Sequence, residues 1–260
     1  MFSIDLAYYI YMCIYNIPIM SKSRGDNITN FYAHKGMQKY ISTYHNPRFA
    51  DTQINIPARI GVIAASGGGK TQFLLNYISK SSDTFGKIVV VYKASEPLYE
   101  FLRDKIGSKN IDFYTSLSQL PPPNDLNMGN KQVLLVFDDQ NAVKDQSKIE
   151  EYFLRGRKVA GGITCFYLAQ NYFSIPTLIR RQFNYVVILK MSGAKDMKSI
   201  IQNYSLGLDA DDVVKLYKDS TKERFHFLKI DCDCRDENKR FSKDFTGFYK
   251  ISDDSGDDDK

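Results

Sequence analysis

An α/β fold with a mostly parallel sheet and helices on both faces is what this sequence predicts, on three observations. Apolar strand-like runs alternate with helical stretches from residue 58 onward, the pattern of a parallel sheet built with crossover helices. One such run, 60–65, passes through Ser66-Gly67-Gly68-Gly69 into Lys70-Thr71, and Phe73, Leu74, Tyr77 and Ile78 then fall on one helical face. Another run, 133–137, ends by delivering two acids, Asp138 and Asp139.

The elements follow in order. The first strand, 59–64, is short and apolar, as a buried strand is, and glycines that tolerate positive φ let the chain turn after it. Apolar residues at helical spacing define a helix over 70–80. Residues 87–92 contain three consecutive valines and read as a second buried strand. A helix is expected over 98–106 and a short edge strand over 111–114. Residues 116–130 hold Pro121-Pro122-Pro123, which excludes a helix or a central strand there. The third main strand is 133–137, followed by a helix at 148–159, a fourth strand at 163–169 and a fifth at 185–190. Helices over 194–204 and 210–218 and a last strand over 225–230 complete the domain.

Upstream, residues 20–57 read as a polar arm with scattered aromatics (Phe31, Tyr32, Tyr40, Tyr44) and one short helix near 37–43. Residues 6–19 are apolar and aromatic, shorter than the about 20 residues of a membrane span. Asp5 stands where a signal peptide carries positive charge, and no small-residue cleavage site follows. One reading is that Met20 is the start and residues 1–19 are not made; the other is a short membrane-peripheral or partner-binding segment. The chain thus divides into the segment 1–19, the arm 20–57, a domain over 58–251 and an acidic tail over 252–260, with no stable membrane span expected.

Composition fits a globular domain: 260 residues, 43% hydrophobic, 25% charged and a mean hydropathy of −0.36. The formal charge is +5, but the tail carries five Asp and one Lys; the rest has 34 basic against 25 acidic residues, a charge of +9. A basic body suits a polyanionic ligand, and the same charge also serves plain solubility. Cys13, Cys165, Cys232 and Cys234 are too scattered for a disulfide framework and point to a reducing compartment. Cys232 and Cys234 lie close to His226 but lack a second ligand pair, which argues against zinc.

Strand, glycine-rich loop, Lys-Thr and helix is the layout of a phosphate-binding P-loop. The amides of Ser66, Gly67, Gly68 and Gly69 would surround the phosphates of ATP, and the helix N-terminus adds positive potential. Lys70 would reach the β- and γ-phosphates, and Thr71 would offer its hydroxyl to magnesium. The usual pattern opens on glycine, where this chain has Ala64. At a strand end that residue needs no positive φ if the loop turns later.

An acid at the C-terminal end of an apolar strand fits a Walker B element, with Asp138 on the magnesium and Asp139 orienting or deprotonating the attacking water. A whole strand–helix unit, 87–114, separates the two motifs, which predicts another strand between their strands in the sheet. Gln170 follows the fourth strand on the ligand edge of a parallel sheet, where an amide can sense the γ-phosphate or position water. An arginine accelerates such hydrolysis by neutralising charge in the transition state. Arg155, Arg157, Arg180 and Arg181 are candidates, with Arg157 and Arg180 preferred as groups supplied to a neighbouring subunit; the alternative for each is a surface or DNA-phosphate contact.

Together these motifs resemble the poxvirus-type virion DNA-packaging ATPases of large DNA viruses and virophages, a family of the FtsK–HerA class of DNA-pumping P-loop motors. The residues that carry the resemblance are Ala-Ala-Ser-Gly-Gly-Gly-Lys-Thr (64–71), Leu-Leu-Val-Phe-Asp-Asp (134–139), Phe-Leu-Arg-Gly-Arg-Lys (153–158) and Leu-Ala-Gln-Asn-Tyr-Phe-Ser-Ile-Pro-Thr-Leu-Ile-Arg-Arg (168–181). It covers roughly residues 55–230. The family often has Gly at the start of its loop and Gly-Arg-His after the helix, and the wider class often has Asp-Glu at Walker B; this chain has Ala64, Gly156-Arg157-Lys158 and Asp138-Asp139. The shorter Asp139 makes the base assignment the weaker of the two carboxylate roles.

The resemblance implies a RecA-like sheet with central order 5-1-4-3-2, ATP and magnesium as cofactors, and a homo-oligomeric ring, a hexamer being usual. It also implies double-stranded DNA in the pore, docking on capsid or portal-vertex proteins, and a place in the virion or the viral factory of the host cytoplasm. Lys158, Arg180, Arg181, Lys190, Lys195 and Lys198 could contact DNA phosphates without regard to sequence. The competing readings are another DNA translocase or helicase, a P-loop nucleotide kinase in which Asp139 serves a substrate hydroxyl, and an NTP-dependent scaffold without turnover.

Overall fold

A computed structural model describes residues 29–251 except 127, 129, 130 and 160. The segment 1–19, the start of the arm and the acidic tail 252–260 lie outside the described residues. The described residues fall into two units divided between Ser42 and Thr43. In the first, the described residues form two 3-10 turns, Phe31–Ala33 and Lys35–Tyr40, where the sequence suggested a short helix near 37–43. Asn30 caps the first turn by accepting from the Tyr32 N–H at 3.1 Å.

The second unit starts ahead of residue 58, the boundary drawn from composition. Residues 43–57 pack into it: Ile54 is fully buried, and α1 (Phe49–Thr52) ends in a buried threonine. The fastening is the side chain of Lys229. Its ammonium is completely buried and donates to the carbonyls of Thr52 (3.2 Å), Gln53 (3.3 Å) and Phe245 (2.7 Å). Burial lowers its pKa to about 8.

The sheet has nine strands in the order β3-β2-β4-β5-β1-β6-β7-β8-β9. They are β1 (Arg59–Ile63), β2 (Phe85–Val91), β3 (Ile111–Tyr114), β4 (Gln132–Asp138), β5 (Ile163–Ala169), β6 (Tyr185–Ile188), β7 (Leu228–Asp231), β8 (Phe241–Lys243) and β9 (Gly247–Phe248). From β3 to β6 the pairing is parallel, and from β6 to β9 antiparallel. Every residue of β4 and β5 is buried, as expected of central strands covered on both faces.

Helices α2 (Lys70–Lys80) and α3 (Pro97–Ile106) cover one face through Phe73, Leu74, Tyr77, Tyr99 and Leu102. The other face is covered by α4 (Ser147–Arg155), α5 (Thr177–Arg180), α6 (Ala194–Tyr204) and α7 (Ala210–Ser220). A last short helix, α8 (Glu237–Arg240), precedes β8.

Among the five main strands the order is β6-β1-β5-β4-β2, which is 5-1-4-3-2 as expected. A strand does separate the loop strand from the acid-bearing strand, but it is β5 and not part of the unit 87–114. That unit supplies β2 and β3, which lie beyond β4. Order along the chain is not order in the sheet, because each crossover helix carries the chain over its neighbours.

Several boundaries differ from expectation, three of them by more than a residue or two or at the site edge. The helix over 148–159 is α4 followed by a 3-10 turn, Gly156–Lys158. The fifth strand ends at Ile188. The last expected strand begins at Leu228 and not at Phe225, and 237–248, unassigned from sequence, adds α8, β8 and β9.

Candidate active site

Register brings the site to one edge of the sheet. Ile63 is opposite both Ala169 and Ile188, and Leu168 is opposite Asp138. The loop after β1, the acids after β4, Gln170 after β5 and Lys190 after β6 therefore share the C-terminal edge, where parallel sheets place ligands.

The loop turns at Gly67 (φ 68°) and Gly69 (φ 99°), while Ala64 is not among the residues of positive φ. Ala64 is fully buried and its N–H donates to the Ala169 carbonyl at 3.2 Å, so it ends the strand ladder as the sequence suggested. The Ala65 N–H donates to the Lys190 carbonyl at 3.2 Å, tying the loop to the end of β6. Gly68 departs from expectation. Its N–H is spent inside the loop on the Ala65 carbonyl at 2.9 Å. The N–H groups of Ser66, Gly67 and Gly69 donate to no backbone carbonyl among the described residues, and the first turn of α2 adds its own orphan N–H groups. A Cβ at Gly67 would meet nothing within 4 Å, so the loop has open space there.

Asp138 is buried at the end of β4, and its Oδ2 accepts from the Tyr99 hydroxyl at 2.6 Å. Burial pushes its carboxyl up to about 6; the Tyr99 hydrogen bond and the Lys70 charge pull the other way. Burial also holds the Tyr99 hydroxyl far above the ordinary phenol range, helped by the Asp138 charge, so Tyr99 remains a donor. Asp139 has a left-handed backbone (φ 49°). Its Oδ2 accepts from Gln170 Nε2 at 3.0 Å, and its Oδ1 is buried without a hydrogen-bond partner among the described residues. Gln140 Nε2 donates to the backbone carbonyls of Asp138 (2.8 Å) and Val91 (3.3 Å), bracing the ends of β4 and β2.

Two site residues escaped the sequence reading. Glu96 precedes α3, and its Oε2 accepts from the Thr71 hydroxyl at 2.7 Å. Tyr99, one turn into that helix, holds Asp138. The signal was present: Glu96-Pro97 follows a buried strand, so an acid arrives at the ligand edge of the sheet just before a helix. A third group sits across the loop. A cleft of about 520 Å³ is lined by residues 65–68, 190–192 and 221–225. It includes Lys190, Lys222, Arg224 and Phe225, and touches neither Lys70 nor Thr71.

Neither preferred arginine is brought to the loop within a subunit. Arg157 lies at the opposite edge of the sheet, where its carbonyl accepts from the Tyr44 hydroxyl at 3.0 Å and its charge lowers the pKa of Arg59, second to burial. Arg180 lies on the return from β5 to β6. Its guanidinium stacks on Tyr172 (4.7 Å) and Phe173 (5.6 Å), and its Nη2 donates to Thr177 Oγ1 at 3.0 Å.

The residues present fit a magnesium nucleotide. Magnesium takes one or two protein oxygens and completes its shell with phosphate and water. The Thr71 hydroxyl and the buried Asp138 carboxylate supply that kind of donor set. Among the described residues no group of three or more His, Cys, Asp or Glu forms a metal cage, and a phosphate-bound magnesium does not need one.

Fold and site edge together define a P-loop NTPase-like α/β protein with a mostly parallel sheet. Solved structures share this fold. The genome packaging NTPase B204 from Sulfolobus turreted icosahedral virus 2 in complex with AMP matches with a TM-score of 0.53 at 14% identity, over 74% of this chain and 98% of that one. Its complex with ATP-gammaS matches at 0.51 and 12%, over 74% and 98%. B204 described as the DNA-packaging ATPase of Sulfolobus turreted icosahedral virus matches at 0.51 and 15%, over the same shares. At such identities the likeness is one of fold. No protein-family model matches the chain, and no curated protein matches it.

Proposed function

We propose that this chain is an ATP-driven translocase that packages viral double-stranded DNA into a capsid, hydrolysing ATP at the 64–71 loop. The observation that carries the reading is the meeting of Lys70, Thr71, Asp138, Asp139 and Gln170 at one sheet edge. Asp139 and Gln170 are joined there by a hydrogen bond. The shared fold of B204, a genome-packaging NTPase solved with ATP-gammaS, supports it.

In this reading Lys70, the loop amides of Ser66, Gly67 and Gly69, and the first-turn amides of α2 hold the phosphates. Thr71 and Asp138 would hold magnesium, which draws charge from the phosphate oxygens. Gln170 and Asp139 orient the attacking water, and Asp139 Oδ1 takes its proton as the bond from the γ-phosphorus to the ADP oxygen breaks. Arg157 or Arg180 reaches the transition state only from a neighbouring subunit, which calls for a homo-oligomeric ring, in this class a hexamer. Lys158, Arg181, Lys195 and Lys198 contact DNA phosphates in the pore, the ring docks on capsid or portal-vertex proteins, and the protein acts in the virion or the viral factory of the host cytoplasm.

The test is displacement of a third strand from a long duplex by the assembled oligomer. ATP-dependent displacement by the wild type, lost in Lys70→Ala, is expected. Strand separation of the duplex would instead identify a helicase, and phosphoryl transfer to a nucleoside without any response to DNA would identify a kinase.

A further inference from the structure

The loop has two differently built sides. Lys70, Thr71, Glu96, Asp138, Asp139 and Gln170 stand on one, and the terminal phosphate and its metal belong there. A nucleotide so placed must send its sugar and base away from the carboxylates. The about 520 Å³ cleft on the other side offers room for them.

At the junction stands Phe225. A Cβ on Gly69 would fall 2.7 Å from its Cδ1, so the ring lies against the last glycine before Lys70. The backbone of Phe225 is left-handed (φ 71°), an outlier for a bulky residue. Strain of this kind persists where the surroundings over-determine it, and it clusters at ligand sites. The core does not need this ring. Phe73, Phe227 and Phe245 pack against one another at centroid distances of 4.9–5.7 Å, whereas Phe225 stays 41% exposed. The ring also borders a second cleft of about 390 Å³, lined by Asn76, Lys80 and His226, so space adjoins it on more than one side. The Arg224 guanidinium lies 4.5 Å from the ring centroid.

Resting on the reading that the loop holds a nucleotide, we propose that Phe225 is the platform on which the nucleobase stacks, held against Gly69 by its left-handed backbone, with Arg224 as its cationic flank. Stacking on an aromatic ring is substantial and does not read the edge of the base.

The chain contains no tryptophan, so Phe225→Trp places a single indole at the proposed contact. Its emission is expected to be quenched on titration with AMPPCP and not with tripolyphosphate. By equilibrium binding, Phe225→Ala is expected to bind AMPPCP about tenfold more weakly while keeping wild-type affinity for tripolyphosphate. Phe225→Trp is expected to keep wild-type affinity for both, which also shows that the turn tolerates substitution. Indole emission indifferent to saturating AMPPCP would overturn the proposal. So would a Phe225→Ala protein that binds AMPPCP as the wild type does, or that loses AMPPCP and tripolyphosphate equally. Wild type that binds tripolyphosphate as tightly as AMPPCP sinks the stacking role and leaves the phosphate loop standing. Wild type that binds neither sinks the nucleotide reading itself.

Discussion

On one side of the loop, Asp138, Asp139 and Gln170 come from the ends of β4 and β5, both wholly buried strands. On the other, Lys190, Lys222, Arg224 and Phe225 come from a strand end and from the turn between α7 and β7. The acidic side is held by short bonds among its own members, Tyr99 to Asp138 and Gln170 to Asp139. The basic side is open and lined by long, exposed side chains. Strand ends in a packed sheet hold groups to the tolerance that chemistry needs, while turns supply an adaptable binding wall. Changes on the acidic side should therefore show in turnover, and changes on the basic side in affinity.

The sharpest way to break this division is Asp139→Asn. Loss of the base is expected to lower kcat about 10²–10⁴-fold with little change in ATP affinity, as read by steady-state hydrolysis and equilibrium binding. Lys70→Ala follows: removing a preorganised cation from the phosphates should cost about 10²–10³-fold in kcat and also weaken binding, because Lys70 contacts the phosphates directly in the proposed reading.

Asp138 sharpens the comparison through stability. Its folded pKa, raised to about 6 by burial, exceeds the unfolded value of about 3.9, so the fold favours the neutral acid. That contribution is complete below about pH 4 and is lost as pH rises through about 6, roughly 2–3 kcal/mol in the absence of nucleotide and magnesium. Denaturant unfolding of Asp138→Asn and wild type should give stabilities that diverge in favour of the variant over that window. The smallest effect is expected at Glu96→Gln, which keeps an acceptor for Thr71. A kcat change under tenfold, about 1.4 kcal/mol of barrier, fits a positioning role; a loss matching that of Asp139→Asn would move the base to Glu96.

The acidic side was legible in the sequence because an apolar run that stops on Asp138-Asp139 or Gln170 announces both a buried strand and the group at its end. The loop was legible from its glycines and Lys-Thr. Three things were not. Glu96 looks like any acid before a proline-initiated helix until Thr71 is found donating to it. Phe225 continues an apolar pattern toward β7, and nothing in residue type announces the left-handed backbone that takes it out of the strand. The strand between loop and acids is β5, from far along the chain, because pairing partners are chosen by crossovers that local sequence does not record. Arg157 and Arg180, nominated as groups supplied to a neighbouring subunit, both lie away from the loop of their own subunit.

The most direct measurement is steady-state phosphate release from ATP and magnesium by the assembled full chain as long duplex DNA is added, with Asp139→Asn beside it. A rate that climbs with DNA in the wild type and stays near background in the variant is the predicted result. A wild-type oligomer whose hydrolysis ignores DNA, or an Asp139→Asn protein that releases phosphate as fast as the wild type, would contradict the account.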